Sequence, residues 1–492
     1  MKRLGFASLP SLPEEVSRPA FDPARVSVGI IHLGLGAFHR AHQAVYTDDV
    51  IAPDPRWGIC GVSLKTSRAT EPIAAQDGLY TLLTKTGEGT TARVIGSIRE
   101  TRFAGADRPG LIERFADPRV TIVSSTITEK GYCHDPASGA LDASHPDIVH
   151  DFAHPETPHS AVGIVVAGLS RRRDADAGAL TFVCCDNLPD NGRTVEGLVA
   201  SFAARRDPSL AAWIRDHVAF PSTMVDRIVP ATTEDDLTEV ERVLGVHDAA
   251  PVVAEEFGQW IIENHFVADR PRWEDSGAQL VRDVAPFELM KLRLLNGNHS
   301  TLAYLGYLMG HDYVWQASRD PLLATLVERQ MAEEIVPTLP RPPGIDLAAY
   351  CAQLLERFRN GALPHRTRQI AMDGSQKLPQ RLLGTVRDRI GIGMSFAHLS
   401  LAVASWIRYA SGTNERGGVI EVQDPLAATF ARVVADARGD PAAIADGFLG
   451  ITPVFGHDLP ADQAFRASIR ENVVGLFRDG ARVTVARHLG IA

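Results

Sequence analysis

The chain has 492 residues, 45% apolar and 22% charged, with a net charge of −10. At about 100–200 residues per domain, that length predicts two large or three small domains. The acidic balance argues against a nucleic-acid or anionic-membrane partner, because both need a basic face.

At the N-terminus, Lys2 and Arg3 precede a short apolar stretch broken by Pro10 and Pro13, so no signal peptide is expected. No apolar run reaches the roughly 18 residues needed to span a membrane. A cytoplasmic protein is the expectation. The first ordered signal, VSVGIIHLGLGAFHRAHQAVYTDDV, covers residues 26–50. A β-branched apolar run, 26–33, enters the turn Gly34-Leu35-Gly36, and a helix-like segment starts near Phe38. WGICGVSL, residues 57–64, reads as a second buried strand. Strand, glycine turn, helix and strand make a βαβ unit. Residues 79–85 and 92–98 read as an inserted hairpin, and VTIVSSTI (120–127) and LTFVCCD (180–186) as two further strands. Helical stretches are predicted around 160–172 and 194–205. The run Arg171, Arg172, Arg173, followed by Asp174 and Asp176, reads as a solvated helix end.

From about Phe287 the helical period dominates and strand signals nearly vanish. The expected fold is therefore α/β: a Rossmann-type doubly wound sheet domain, residues 1–285, followed by a mainly α-helical C-terminal domain, 286–492. The five cysteines are odd in number and form no CxxC pair, so neither a disulfide framework nor a zinc site is expected. Cys184 and Cys185, in TFVCC, read as small buried hydrophobes.

Two glycines after a strand let a backbone approach a pyrophosphate at a helix start. The third position of the usual GxGxxG is His39, so the motif is imperfect. After the second strand come Lys65-Thr66-Ser67-Arg68, where an acid would hold the adenosine ribose of NAD. Lys65 and Arg68 suit a 2′-phosphate instead, which leaves both NAD and NADP open. In the second half, Glu288, Lys291, Asn296 and His299 recur at helical spacing. With Lys291 at zero, an α-helix places Glu288 at about 60°, His299 at about 80° and Asn296 at about 140°. Four polar groups on one side of an apolar helix suit alcohol oxidation. A lysine, ordinarily near pKa 10.4, serves as a base when burial or a nearby cation lowers it to roughly 7–8. Amide donors, Asn296 and Asn187 just past a strand end, suit a developing alkoxide. Asn191-Gly192 reads as ordinary turn chemistry.

The segments GLGAFHRAHQAVY, TITEKGY, CDNLPDNG, FPSTMVDRIVPAT and MKLRLLNGNHS, in that order, resemble the mannitol dehydrogenase family of polyol-specific long-chain dehydrogenases. The resemblance implies a metal-independent enzyme with its site between a Rossmann and a helical domain. It implies cofactor contacts at Gly34, Gly36, Ala37, Phe38, Thr128 and Glu129, and NAD as the usual cofactor. By the same resemblance, Lys291 matches the general acid/base, and Asn187 and Asn296 match the pair that polarises the reacting oxygen. His299 matches a binder of substrate hydroxyls, Glu288 a proton relay, and Asp226 and Lys377 substrate contacts. The stretch from His365 and Arg366 to Arg381 resembles fructuronate reductases (D-mannonate oxidoreductases) more than mannitol dehydrogenases. A carboxylate substrate gives Arg366 or Lys377 a physical role. The expected partner is thus a small sugar acid or polyol, with mannitol/fructose as the alternative to mannonate/fructuronate. A non-catalytic nicotinamide sensor is the rival of another class. Monomer and small homo-oligomer both remain open.

Overall fold

The computed structural model describes residues 2–135 and 139–491. The chain divides into two compact units, Met1–Ala285 and Pro286–Ala492. Unit one carries the strands β1 (Val28–Leu33), β2 (Gly58–Ser63), β3 (Tyr80–Lys85), β4 (Thr90–Ile95), β5 (Ile98–Phe103), β6 (Ile122–Ser125), β7 (Leu180–Cys184), β8 (Val218–Ala219), β9 (Thr223–Asp226), β10 (Val252–Ala254), β11 (Gln259–Glu263) and β12 (Gln279–Val281).

Six of them form the main sheet in the order β5-β2-β1-β6-β7-β8. Every pairing in it is parallel. Counted along this sheet the order is 3-2-1-4-5-6, the doubly wound Rossmann arrangement, in which ligands sit where the order reverses. The reversal lies between β1 and β6, two runs buried at every position. Both faces of the sheet are covered. Ile31, Leu33 and Val123 pack into one core, and Ile30, Ile59 and Ile122 into the other. A parallel strand buried on both sides carries a continuous apolar run, which is why 26–33 reads so clearly as a strand.

The predicted hairpin is present, with Tyr80 opposite Ile95 and Lys85 opposite Thr90. Its second arm is shorter than residues 92–98, because the chain leaves the hairpin after Ile95 and Ile98 opens β5. That strand, IRETRF, lies at the sheet edge with five of six residues half-buried, so its sequence carries charges instead of an apolar run. A further correction concerns the arginine run. Arg171 does pair with exposed Glu113 at 2.8 Å. Arg172, however, is only 1% exposed and donates to the carbonyls of Phe115, Val120, Ala177, Gly178 and Ala179 at 2.7–3.0 Å. A guanidinium has five donors and no acceptor, so it can close a turn of orphaned carbonyls that no lysine could. Burial lowers its pKa to about 10.

Unit two is helical, isolated bridges aside, among the described residues. Its central helix, Ala397–Ala410, is buried at every residue from His398 onward and packs against Asn298–Leu308 and Gln463–Arg478. A helix enclosed on all sides reads as apolar all round, as AHLSLAVASWIRYA does. Among the described residues no helix is long and apolar enough to cross a membrane. The five cysteines are free, and burial pushes the thiol of Cys184 up to about 12.

Candidate active site

In unit one, the turn after β1 has the geometry of a phosphate cradle. Gly34 has φ of +101°, and a Cβ there would lie 2.1 Å from the Thr126 carbonyl oxygen, so only glycine fits. At Gly36 a Cβ would meet nothing closer than the Gly34 oxygen at 3.7 Å. Nothing in the packing of the protein requires glycine there, and the space beside it is open. The helix that follows, Ala37–Ala41, is only five residues long and breaks at His42, where φ is −130° and ψ −92°. The site therefore offers the first-turn N–H groups of Ala37, Phe38 and His39, which have no intrahelical acceptor, more than a long macrodipole.

His39 stands where the usual motif has its third glycine, and the structure supplies the reason. Its ring stacks on His32, with centroids 3.4 Å apart. His32 lies within β1, and its ring nitrogens meet Ser124 Oγ and Thr126 Oγ1, each at 2.8 Å. Burial lowers the His32 pKa to about 3, so the ring is neutral. His32 ties β1 to β6 beneath the glycine turn, and the His39 ring covers it. No sequence motif announced them.

Thr128 and Glu129 lie on the loop after β6. Thr128 has φ of +68°, an outlier for a β-branched residue. Asp186 holds it there. Its carboxylate accepts from the N–H groups of Ile127 (3.1 Å) and Thr128 (2.8 Å) and from the Tyr132 hydroxyl (2.6 Å). Asp186 thus positions TITEKGY from the end of β7, a role the sequence reading missed although it sits one residue before Asn187. Asn187 itself is exposed. Asn191 is buried and structural: its amide bonds the Asp186 and Thr223 carbonyls at 3.0 Å and the Thr223 N–H at 2.8 Å. Asp226, 3% exposed, closes β9.

A cavity of about 340 Å³ opens on these loops, lined by Gly34, Gly36, Ser63, Lys65, Arg68, Thr126, Thr128 and Lys130, with Cys133, His145 and Asp147 on its wall. Glycines, a strained loop and cationic side chains facing one cavity at the switch point fit a dinucleotide. The ligand atoms of Cys133, His145 and Asp147 lie within 4.8 Å of one another. Burial holds the Cys133 thiol up at about 11, and His145 Nδ1 accepts the Asp147 N–H at 3.2 Å. His145 thereby caps the helix Pro146–Ala153.

In unit two, Glu288 lies in the helix Ala285–Met290, and the next seven residues, Lys291–Gly297, form a π-helical segment before Asn298–Leu308 resumes as α-helix. The 100° step therefore does not carry from Glu288 and Lys291 to Asn296 and His299, and the angles expected of an unbroken α-helix are corrected. A wider turn leaves carbonyls poorly paired, and side chains cover them: Asn298 Nδ2 donates to Leu294 O at 2.7 Å, and Ser300 Oγ to Asn296 O at 3.2 Å. Gly297 lets a second π-helical segment, Pro379–Leu383, approach, since a Cβ at 297 would lie 2.9 Å from the Arg381 carbonyl oxygen. Such segments recur at functional sites.

Lys291 and His299 are each 8% exposed, while Glu288 and Asn296 are half-buried. The His299 ring packs against Phe358 and His365, at 4.6 and 5.6 Å between centroids. Burial, and then the neighbouring His365, Arg381, Arg357 and Lys291, hold His299 well below its ordinary pKa. Lys377 donates to the Met372 carbonyl at 2.5 Å and to that of Ile370 at 3.2 Å, which ties it to the end of Thr367–Ile370. Arg366 is exposed and lies over the Tyr313 ring, 5.2 Å from its centroid.

Strand order, glycine turn and cavity define unit one as a Rossmann-type dinucleotide-binding domain. Residues 28–275 match the Mannitol dehydrogenase Rossmann domain, and residues 283–476 the Mannitol dehydrogenase C-terminal domain. The chain is 46% identical to the D-mannonate oxidoreductase of Escherichia coli K12, over 96% of this chain and 98% of that one. It is 45% identical to an uncharacterized oxidoreductase of the same strain, YeiQ, over 98% and 99%. The solved mannitol 2-dehydrogenase of Pseudomonas fluorescens, a ternary complex with NAD and D-mannitol, superposes with a TM-score of 0.90 at 38% identity, covering 100% of both chains. The chain belongs to the mannitol dehydrogenase family. It is a Rossmann-fold, NAD(H)-binding oxidoreductase of the secondary-alcohol dehydrogenase type.

Proposed function

We propose that the enzyme reduces D-fructuronate to D-mannonate, and catalyses the reverse oxidation. NADH held at the glycine turn, Gly34 and Gly36, would supply the hydride that the carbonyl carbon receives. Lys291 gives its proton to the carbonyl oxygen as the alcohol forms and takes it back in oxidation. Asn187 and Asn296 donate to that oxygen and hold its developing charge. Glu288 passes protons between Lys291 and solvent. His299, neutral because it is buried among cations, binds a substrate hydroxyl, and Asp226 and Lys377 contribute further contacts.

The observation that carries the substrate assignment is the gathering of basic side chains, Arg357, Arg381 and Lys291, around His299. All three lie close enough to lower the His299 pKa, which favours an anionic group in the substrate. A carboxylate is stabilised in such a field, and guanidinium groups pair with it in a fork. A neutral polyol gains nothing from it. Identity to a D-mannonate oxidoreductase along nearly the whole chain supports the same reading. Mannitol and fructose are the second reading, favoured by the likeness to the mannitol 2-dehydrogenase. Purified protein assayed by NADH absorbance should turn over fructuronate at least tenfold better in kcat/KM than fructose. Turnover of fructose or mannitol without that of the sugar acids overturns the assignment.

A further inference from the structure

We propose that the unit-one cavity also accepts a 2′-phosphorylated adenosine, so that the enzyme takes NADP(H) alongside NAD(H), with Lys65 and Arg68 holding the extra phosphate. The proposal rests on the dinucleotide-binding reading of unit one and is independent of the sugar assignment.

The placement follows from the sheet. β1 and β2 are adjacent, with Leu33 opposite Val62, and the N–H groups of Gly34 and Leu35 both donate to the Val62 carbonyl, at 2.8 and 3.0 Å. The glycine turn is thereby tied to the last residues of β2. The chain leaving β2 after Ser63 runs directly beside it, and in this fold that position reads the adenosine ribose 2′ oxygen. An acid there hydrogen-bonds a free 2′-hydroxyl and repels a phosphate. Residues 64–70 here are Leu64, Lys65, Thr66, Ser67, Arg68, Ala69 and Thr70, and the first acid beyond them is Glu71, which does not line the cavity.

Charge in the cavity agrees. Lys65, Arg68 and Lys130 line it against a single carboxylate, Asp147. Asp147 already faces His145, at 3.9 Å. Lys65 and Arg68 are exposed, and neither makes a salt bridge or a side-chain hydrogen bond among the described residues. Two cations held beside a phosphate-binding turn with no internal partner leave a doubly charged group as the ligand they complement. Each charge-assisted contact is worth roughly tenfold in affinity.

The test is titration calorimetry of the full chain with 5′-AMP and with 2′,5′-ADP, which differ only in the 2′-phosphate and require no turnover. The expected result is at least tenfold tighter binding of 2′,5′-ADP, with a preference that shrinks as salt rises. In Lys65→Ala/Arg68→Ala the ratio of the two affinities should collapse to about one, and Lys65→Asp should invert it. All these positions are exposed, so the variants are expected to fold. Equal or weaker binding of 2′,5′-ADP by the unaltered chain overturns the proposal, as does a preference that survives in the double variant. Reduction of fructuronate with NADH is read separately. A protein that performs it yet ignores the 2′-phosphate sinks this inference alone, and a protein that binds 2′,5′-ADP but reduces no sugar acid sinks the substrate assignment alone.

Discussion

Lys291 is the residue on which the proposed chemistry turns, and its burial separates two roles. A solvated lysine at the end of a helix contributes little to anything, whereas Lys291 is only 8% exposed, the setting that the proposed proton transfer requires. Lys291→Ala should lower kcat by about 10²–10⁴-fold, the usual contribution of a general acid/base. NADH binding, followed by fluorescence, should persist. Unchanged turnover would assign the proton to another group. His299 complements it: neutral across the working range, it can donate or accept toward a hydroxyl without competing for a carboxylate. At this scale the sequence was informative where a residue type is rare in its setting, as with a lysine and a histidine in an apolar helix. It was silent about Asp186 and His32, whose work rests on hydrogen bonds to residues 54 to 94 positions away, and it misjudged Arg172, whose carbonyl partners converge only in the folded chain.

The π-helical segment Lys291–Gly297 shows what a single element can hide. Its composition is that of a good α-helix, and nothing local marks the extra residue per turn. What permits it is tertiary: Asn298 and Ser300 cover the loosened carbonyls, and Gly297 admits the backbone of Arg381. Gly297→Ala would push a Cβ against a carbonyl oxygen that cannot swing away. It should cost about 1–3 kcal/mol of stability, the usual cost of overpacking, and should shift Lys291 enough to reduce kcat. Urea unfolding and turnover measured together check this, and a variant with both unchanged would mean that the two segments do not need their close approach. β5 makes the converse point. Strands β1, β2, β6 and β7 were legible because burial on both faces demands an apolar run. An edge strand has no such demand, and its charges, Glu100 and Arg102 paired with each other and with Arg114 and Asp107, belong to a half-wet surface.

At the scale of the molecule, several buried histidines couple stability to pH. Burial lowers His32 to about 3 and His488 to about 4, and it holds His39, His299 and His365 below the ordinary 6.5. The unfolded chain therefore binds more protons than the native one as pH falls below about 6.5. Their stabilisation is complete above that value and is lost progressively on acidification, at about 1.4 kcal/mol per pH unit for each histidine fully in its window. Urea midpoints should fall steeply between pH 7 and pH 5. A flat profile over that range would show that these rings are not held neutral.

The family, the fold class and the parallel core strands were determined by the sequence itself, because they rest on short-range patterns: apolar runs bounded by turns, a glycine pair after a strand, and five signature segments in order. Only the tertiary structure decided why His39 replaces a glycine, why Thr128 is strained, which arginine is buried, and where the helix bearing Lys291 widens. Each of those depends on groups brought together from distant positions, and a hydrogen-bond partner 60 or 90 residues away leaves no periodic trace in the chain that precedes it.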